Sequence, residues 1–176
     1  MTTIAEFLRQ ALKSQHGMID SVVKDLTPEQ MHWLPPNTAA NHIAGTLWHY
    51  VRTEDNIVHF VLQDRKPPVW LQNNYHEKFG LDKVAQGTGM TTDDAQALRL
   101  PPIDEWMPYQ QAVWAATDAY VASLSEDDLD RVLTVRPFGE IPVRQALGQV
   151  CLTHGHAHFG EICVLRVLQG LPSGVI

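Results

Sequence analysis

The chain has 176 residues, 44% of them hydrophobic and 19% charged, with a formal net charge of −7, which suits one globular domain over 1–176 and excludes a disordered chain. Its 13 Lys and Arg are scattered, so no nucleic acid is expected as a partner. No apolar run approaches the roughly 20 residues that would place it in a membrane.

The first six residues, Met1 to Glu6, lack the basic and apolar regions of a signal peptide. Cys151 and Cys163 fall on one predicted helix, about 18 Å apart along its axis and beyond disulfide reach. Reduced thiols without a leader give a cytoplasmic expectation.

Taken in order, Ile4, Phe7, Leu8, Ala11, Leu12, Met18, Ile19, Val22 and Val23 recur at helical spacing, predicting a first helix over 3–25. His16 on it reads as a surface or interhelical residue. Thr27, Pro28 and Gln30 form a capping-box start to a short helical turn that Pro35 and Pro36 stop, with Trp33 expected in the core.

A second helix is predicted over 39–63, its apolar arc carrying Ile43, Leu47, Tyr50, Val51, Ile57, Val58 and Val61. His42, Thr46, His49, Thr53 and Asn56 form a polar stripe beside that arc. Periodicity does not single out His49 over His42.

The stretch 64–102 loses periodicity at Pro67, Pro68, Gly80, Gly87 and Gly89. A segment this long in a compact domain is expected to hold one or two short helices, Glu77 to Val84 among them, and to cover part of a site. His76 is expected to be exposed.

A third helix is predicted from an Asp104 N-cap, with Pro108 confining its regular part to the residues on its C-terminal side. Ser125 to Asp128 repeats the cap-and-acid pattern of Thr27 to Gln30. The β-branched link 132–143, around Pro137-Phe138-Gly139, predicts a hairpin or an extended loop.

The last helix, over 145–168, carries His154-Gly155-His156-Ala157-His158-Phe159-Gly160-Glu161 and ends at Gly170, Pro172 and Gly174. His154 and His158 lie roughly 40° apart on one face, while His156 points away. Leu147, Val150, Cys151, Glu161 and Leu165 fall on the same side, so two imidazoles interrupt a core-facing stripe. A buried polar group without a partner costs about 1–3 kcal/mol, so these nitrogens need hydrogen bonds from a neighbouring helix or a divalent metal. A third ligand has to come from elsewhere, and Cys151, one turn before His154, is one alternative.

Together these elements predict an all-α chain, a bundle of four main helices with a long connection between the second and third. Leu26-Thr27-Pro28-Glu29-Gln30 with Trp33-Leu34-Pro35, the run from Leu47 to Asp55, and His154 to Glu161 make the chain resemble the DinB-like (YfiT-like) superfamily of four-helix-bundle metalloproteins. The third run is similar to the family's His-x-x-x-His-Arg-Gly-Gln signature, with Phe159 and Glu161 where Arg and Gln are common.

The resemblance implies a metal triad of His49, His154 and His158, a divalent ion such as nickel or zinc, and a homodimer. Glu161 would then support a ligand or act as an extra one. It also implies metal-assisted chemistry on a low-molecular-weight thiol or on water, of S-transferase or hydrolase type. The alternative is a non-catalytic stress or interaction protein in which the metal is structural.

Overall fold

The computed structural model describes residues 2–174; Met1 and the two residues after Gly174, part of the expected 1–176 domain, lie outside it. The chain is mostly helical, with one small two-stranded sheet. No helix among the described residues is long and apolar enough to cross a membrane.

Helix α1 (Ile4–Val23) starts where the Thr3 hydroxyl accepts from the Glu6 amide. The short α2 (Pro28–Met31) carries the expected Thr27–Gln30 capping box. Met31, not Trp33, enters the core there: it is 1% exposed, whereas Trp33 is only half-buried.

Helix α3 (Ile43–Asp55) begins four residues later than expected, because the His42 Nδ1 accepts from the Gly45 amide and caps it. It then widens into a π-helical stretch, Asn56–Val61. The expected polar stripe is not a border, since His42, Thr46 and Thr53 are buried and α3 is covered nearly all round.

The segment 64–102 contains three short helices, α4 (Val69–Gln72), α5 (Tyr75–Phe79) and α6 (Thr92–Ala97). Because α5 starts at Tyr75 and stops at Gly80 in a left-handed conformation, the helix expected over 77–84 is displaced. His76 is correspondingly half-buried beside Glu77 rather than exposed.

Helix α7 (Ile103–Ala122) is capped by Pro102 and places Asp104 in its first turn, and it runs straight through Pro108. A proline there removes one backbone donor, and the buried Ile103, Trp106 and Tyr109 on either side hold the turn in place. Ser125 and Asp128 form a second capping box at α8 (Glu126–Asp130). Of the two forms expected for 132–143 the hairpin is present, β1 (Val132–Val135) against β2 (Gly139–Pro142), with Leu133 opposite Ile141.

The last helical segment is continuous: α9 (Val143–Ala146), a π-helical stretch Leu147–Thr153, and α10 (His154–Leu168). α1 packs on α7, α3 packs on α10, and α1 and α3 also contact the π-helical stretch before α10. Gly155 lets α10 approach so closely because a Cβ there would meet the Gln15 amide and come within 2.5–2.6 Å of the Tyr50 ring.

Two adjacent acids of α3 organise the polar interior. Glu54, fully buried, accepts from the Tyr50 hydroxyl at 2.5 Å, the Thr117 hydroxyl at 2.7 Å and the His16 ring at 3.0 Å. His16 is therefore interhelical and buried, not on the surface. Asp55 accepts from the Val69 and Trp70 amides and the Tyr109 hydroxyl, tying the start of 64–102 to α3.

Burial alone would raise the Glu54 carboxyl, but His16, Tyr50 and Thr117 more than offset it and hold its pKa below the ordinary value. A depressed folded pKa means that this carboxylate contributes stability above the ordinary carboxylate range and loses it as pH falls through the folded value. The gap in urea midpoint between wild type and Glu54→Gln is therefore expected to shrink as pH is lowered from neutral into the acid range. A gap that stays constant would contradict an ionised Glu54.

Candidate metal centre

The α3–α10 contact brings His49, His154 and His158 together. One ring nitrogen from each lies within 4.8 Å of the other two, and all three side chains are half-buried. His154 and His158 stack one turn apart, as their spacing predicts, with their Nε2 atoms 2.8 Å apart. His49 meets both edge-on from α3, with ring centroids 5.1 Å away in each case.

The outer nitrogens fix the tautomers. His49 Nδ1 donates to the Gln86 carbonyl at 2.5 Å and His158 Nδ1 donates to Glu161 at 2.7 Å, which leaves both Nε2 atoms bare and turned inward. His154 Nδ1 is sealed from solvent with no hydrogen-bond partner; the Val150 carbonyl one turn back favours a charged ring but makes no bond of proper geometry. Burial and then the nearby His158 and His49 push the His154 pKa down to about 4. Burial also lowers His49, against the opposing pull of the Gln86 carbonyl.

Neutral imidazoles with lone pairs converging on one point are the donor set a divalent ion takes. A single proton shared between His154 and His158 would serve two of the three nitrogens and leave His49 without a partner. The spacing fits an ion as well. Two metal–nitrogen bonds at a tetrahedral angle separate their nitrogens by about 3.3 Å, between the 2.8 Å contact and the 4.8 Å limit.

Next to the triad is a cavity of about 160 Å³ reached by His49, His158 and Glu161. The segment 64–102 forms part of its wall through Gly87, Met90, Ala95 and Leu98, the partial cover expected of that stretch. Gly87 has φ +89°, and a Cβ there would come within 2.8 Å of His49 Nδ1, so only glycine allows the Gln86 carbonyl to reach the ring. His32 accepts from the Leu100 amide and Gln96 donates to the Ala40 carbonyl, fastening the far end of the cover.

The other candidates fall elsewhere. His156 is exposed and bonds to the Leu152 carbonyl, away from the triad. His42 caps α3. Cys151 is fully buried among Leu8, Leu12, Ile57 and Val58, outside the group, and burial followed by the charge of Glu54 raises its thiol pKa well above the ordinary value. The π-helical stretch just before His154 changes the angular register that puts Cys151 on the same face of an ideal wheel.

Glu161 is not in the group of converging donors; it holds the outer nitrogen of His158 instead. Partners of this kind typically contribute 10–100-fold in affinity, and the Glu161 side chain is 57% exposed, so Glu161→Ala is expected to weaken metal binding by about tenfold. Competition against a chromophoric chelator reads this directly, and unchanged affinity would remove Glu161 from the centre. Gln86 was invisible in the sequence because it contributes a backbone carbonyl, for which no residue type is required.

The sequence profile of the DinB superfamily matches residues 11–162. The fold is similar to the crystal structure of a conserved protein from Enterococcus faecalis, with a TM-score of 0.81 over 96% of this chain and 98% of that one. The two are 19% identical, so that likeness speaks for the fold alone. None of the curated proteins matches the chain. With its histidine cluster at the α3–α10 contact and a profile match over most of its length, the chain belongs to the DinB superfamily.

Proposed function

We propose that the chain is a DinB-like four-helix bundle whose long connection between the second and third main helices roofs a divalent-metal site, and that it is a metal-dependent enzyme acting on a small molecule. His49, His154 and His158 are the ligands, and the ion is nickel or zinc. The observation that carries this reading is the meeting of three imidazole nitrogens within 4.8 Å at the edge of a cavity. A structural zinc is usually closed by four protein ligands; three donors beside open space suit catalysis better.

When bound, such an ion supplies Lewis acidity that lowers the pKa of a thiol or of water. The rest is done by the chain's own residues. Gln86 and Glu161 hold the outer ring protons of His49 and His158, keeping the inner lone pairs aimed at one point. Met90, Ala95 and Leu98 offer an apolar wall that excludes water and carries the body of a substrate. The reaction class is transfer of a low-molecular-weight thiol to an electrophile, or hydrolysis. The protein is cytoplasmic and a homodimer; Val164, Val167 and Leu168, exposed together on α10, supply an apolar strip suited to self-association.

Chelation separates this from a stress or interaction protein in which the metal clamps α3 to α10. Removing the ion from an open site is expected to abolish turnover of a thiol with a chromogenic electrophile, or of an activated ester, while Tm falls by about 2–4 °C. A fall several times larger, with no turnover by the nickel or zinc form before chelation, would favour the clamp.

A further inference from the structure

A larger cavity, of about 300 Å³, lies between α1 and α7 and shares no lining residue with the one at the triad. Its wall includes His16, 5% exposed, whose ring stacks on Trp114 at 3.9 Å and 6°. The His16 Nε2 sits 3.0 and 3.1 Å from the two Glu54 oxygens. Glu54 takes donors from three sides, so His16 Nε2 donates to it, and in that tautomer Nδ1 is an acceptor. That nitrogen bonds to no group of the described chain. His16 lines the cavity and its Nδ1 is not sealed from solvent, so the cavity is where a partner from outside the chain would approach it.

The charges around the cavity are mostly spoken for. Arg9 is bound twice to Asp118, at 2.8 and 3.0 Å. Asp20 accepts from Gln110 at 2.6 Å and from the Trp114 indole at 2.9 Å. Lys13 also lines the cavity, and it is exposed and pairs with no carboxylate among the described residues. Leu12, Ala115 and Val121 provide an apolar surface beside these two free handles. A mostly apolar pocket with a few fixed polar groups is the usual make-up of a small-molecule site, and this volume is at the lower end for one.

We propose that the α1–α7 cavity is a second binding site, taking a small organic acid that carries a hydroxyl or N–H group. The donor bonds to His16 Nδ1, the acid faces the Lys13 ammonium, and the apolar body lies on Leu12 and Val121. Glu54 is a positioning residue here: it fixes the ring tautomer and has no contact with the ligand. None of this depends on a metal at the triad.

The test is titration of 4-hydroxyphenylacetate into the ¹⁵N-labelled full chain, metal-free and zinc-loaded. Saturable shifts are expected in amides 12–17 and 114–121 in both forms, together with a shift of the His16 Nδ1 resonance. The 4-methoxy analogue, which lacks the donor, should bind about tenfold more weakly, and Lys13→Ala should weaken the parent acid several-fold.

Gly17→Leu is the blocking variant. A Cβ at Gly17 meets nothing within 4 Å, and leucine is the better helix former, so the side chain fills the cavity without breaking α1. Binding should be lost in this variant while the triad's metal affinity is unchanged. Absence of saturable shifts, meaning a cavity holding water only, would overturn the proposal. So would equal binding of the methoxy analogue, binding that survives Gly17→Leu, or shifts confined to the surroundings of His49 and His158.

Discussion

His154→Ala and His158→Ala are each expected to reduce bound nickel or zinc from one ion per chain to a trace, with His156→Ala indistinguishable from wild type. Loss of a ligand's hydrogen-bond partner alone costs 10–100-fold, so loss of the ligand itself should cost on the order of a thousandfold or more. His154 is the more sensitive position. Its ring is neutral far below physiological pH, with its pKa pushed to about 4, so its lone pair is available without competition from protons. His156 is a fair control because it is exposed and faces away from the group. Elemental analysis of untagged protein, together with competition against a chelator, gives both occupancy and affinity. Retention of one ion per chain by both variants would place the metal somewhere other than the α3–α10 contact.

The largest expected loss of stability is at Asp55. This carboxylate is 0% exposed and accepts from the Val69 amide at 2.8 Å, the Trp70 amide at 3.0 Å and the Tyr109 hydroxyl at 2.9 Å. It is also the counter-charge of Arg52, which is buried, lies 3.5 Å from it and packs over the Trp70 ring at 4.6 Å. Two of the Arg52 nitrogens make no hydrogen bond, so the guanidinium depends on this charge and on the indole face. Asp55→Ala strands three donors and one cation away from water. Breaking a buried pair by removing one partner typically costs 3–5 kcal/mol, and that is the loss expected in urea unfolding. Tyr109→Phe, which deletes one of the donors, should cost only about 1 kcal/mol. A change below about 1 kcal/mol for Asp55→Ala would mean that water reaches these groups and that the network does not pin the cover.

The two predictions meet in the architecture. Asp55 fastens the beginning of 64–102 to α3, and the Gln86 carbonyl farther along that segment holds His49, nearly two turns earlier on the same helix. A weakened Asp55 anchor is therefore expected to reach the metal centre through the cover as well as through global stability.

Most of the helices and both capping boxes could be read from local pattern, because the period of apolar residues and the identity of cap residues act over one or two turns. The stacking of His154 on His158 was equally legible, being a consequence of four-residue spacing alone. Where helix boundaries shifted, as at Ile43, Ile103 and Tyr75, a tertiary contact or an unexpected cap outweighed the local signal. The wheel treated 145–168 as uniform, and the π-helical stretch Leu147–Thr153 broke that assumption just upstream of the histidines.

What the sequence by itself determined was a helical chain with two stacked imidazoles on an inward face, since periodicity and spacing are properties of neighbours along one helix. Which residue on α3 meets them, which backbone carbonyl fixes that residue, and which acids are buried depend on how helices more than a hundred residues apart pack. His49 and His42 are equivalent on a helical wheel, and only the approach of α10, permitted by Gly155 against Tyr50 and Gln15, brings one of them within reach of the pair. Glu54 and Asp55 look like a solvated acidic pair, and only the donors that converge on them from α1, α4 and α7 make an interior position tenable.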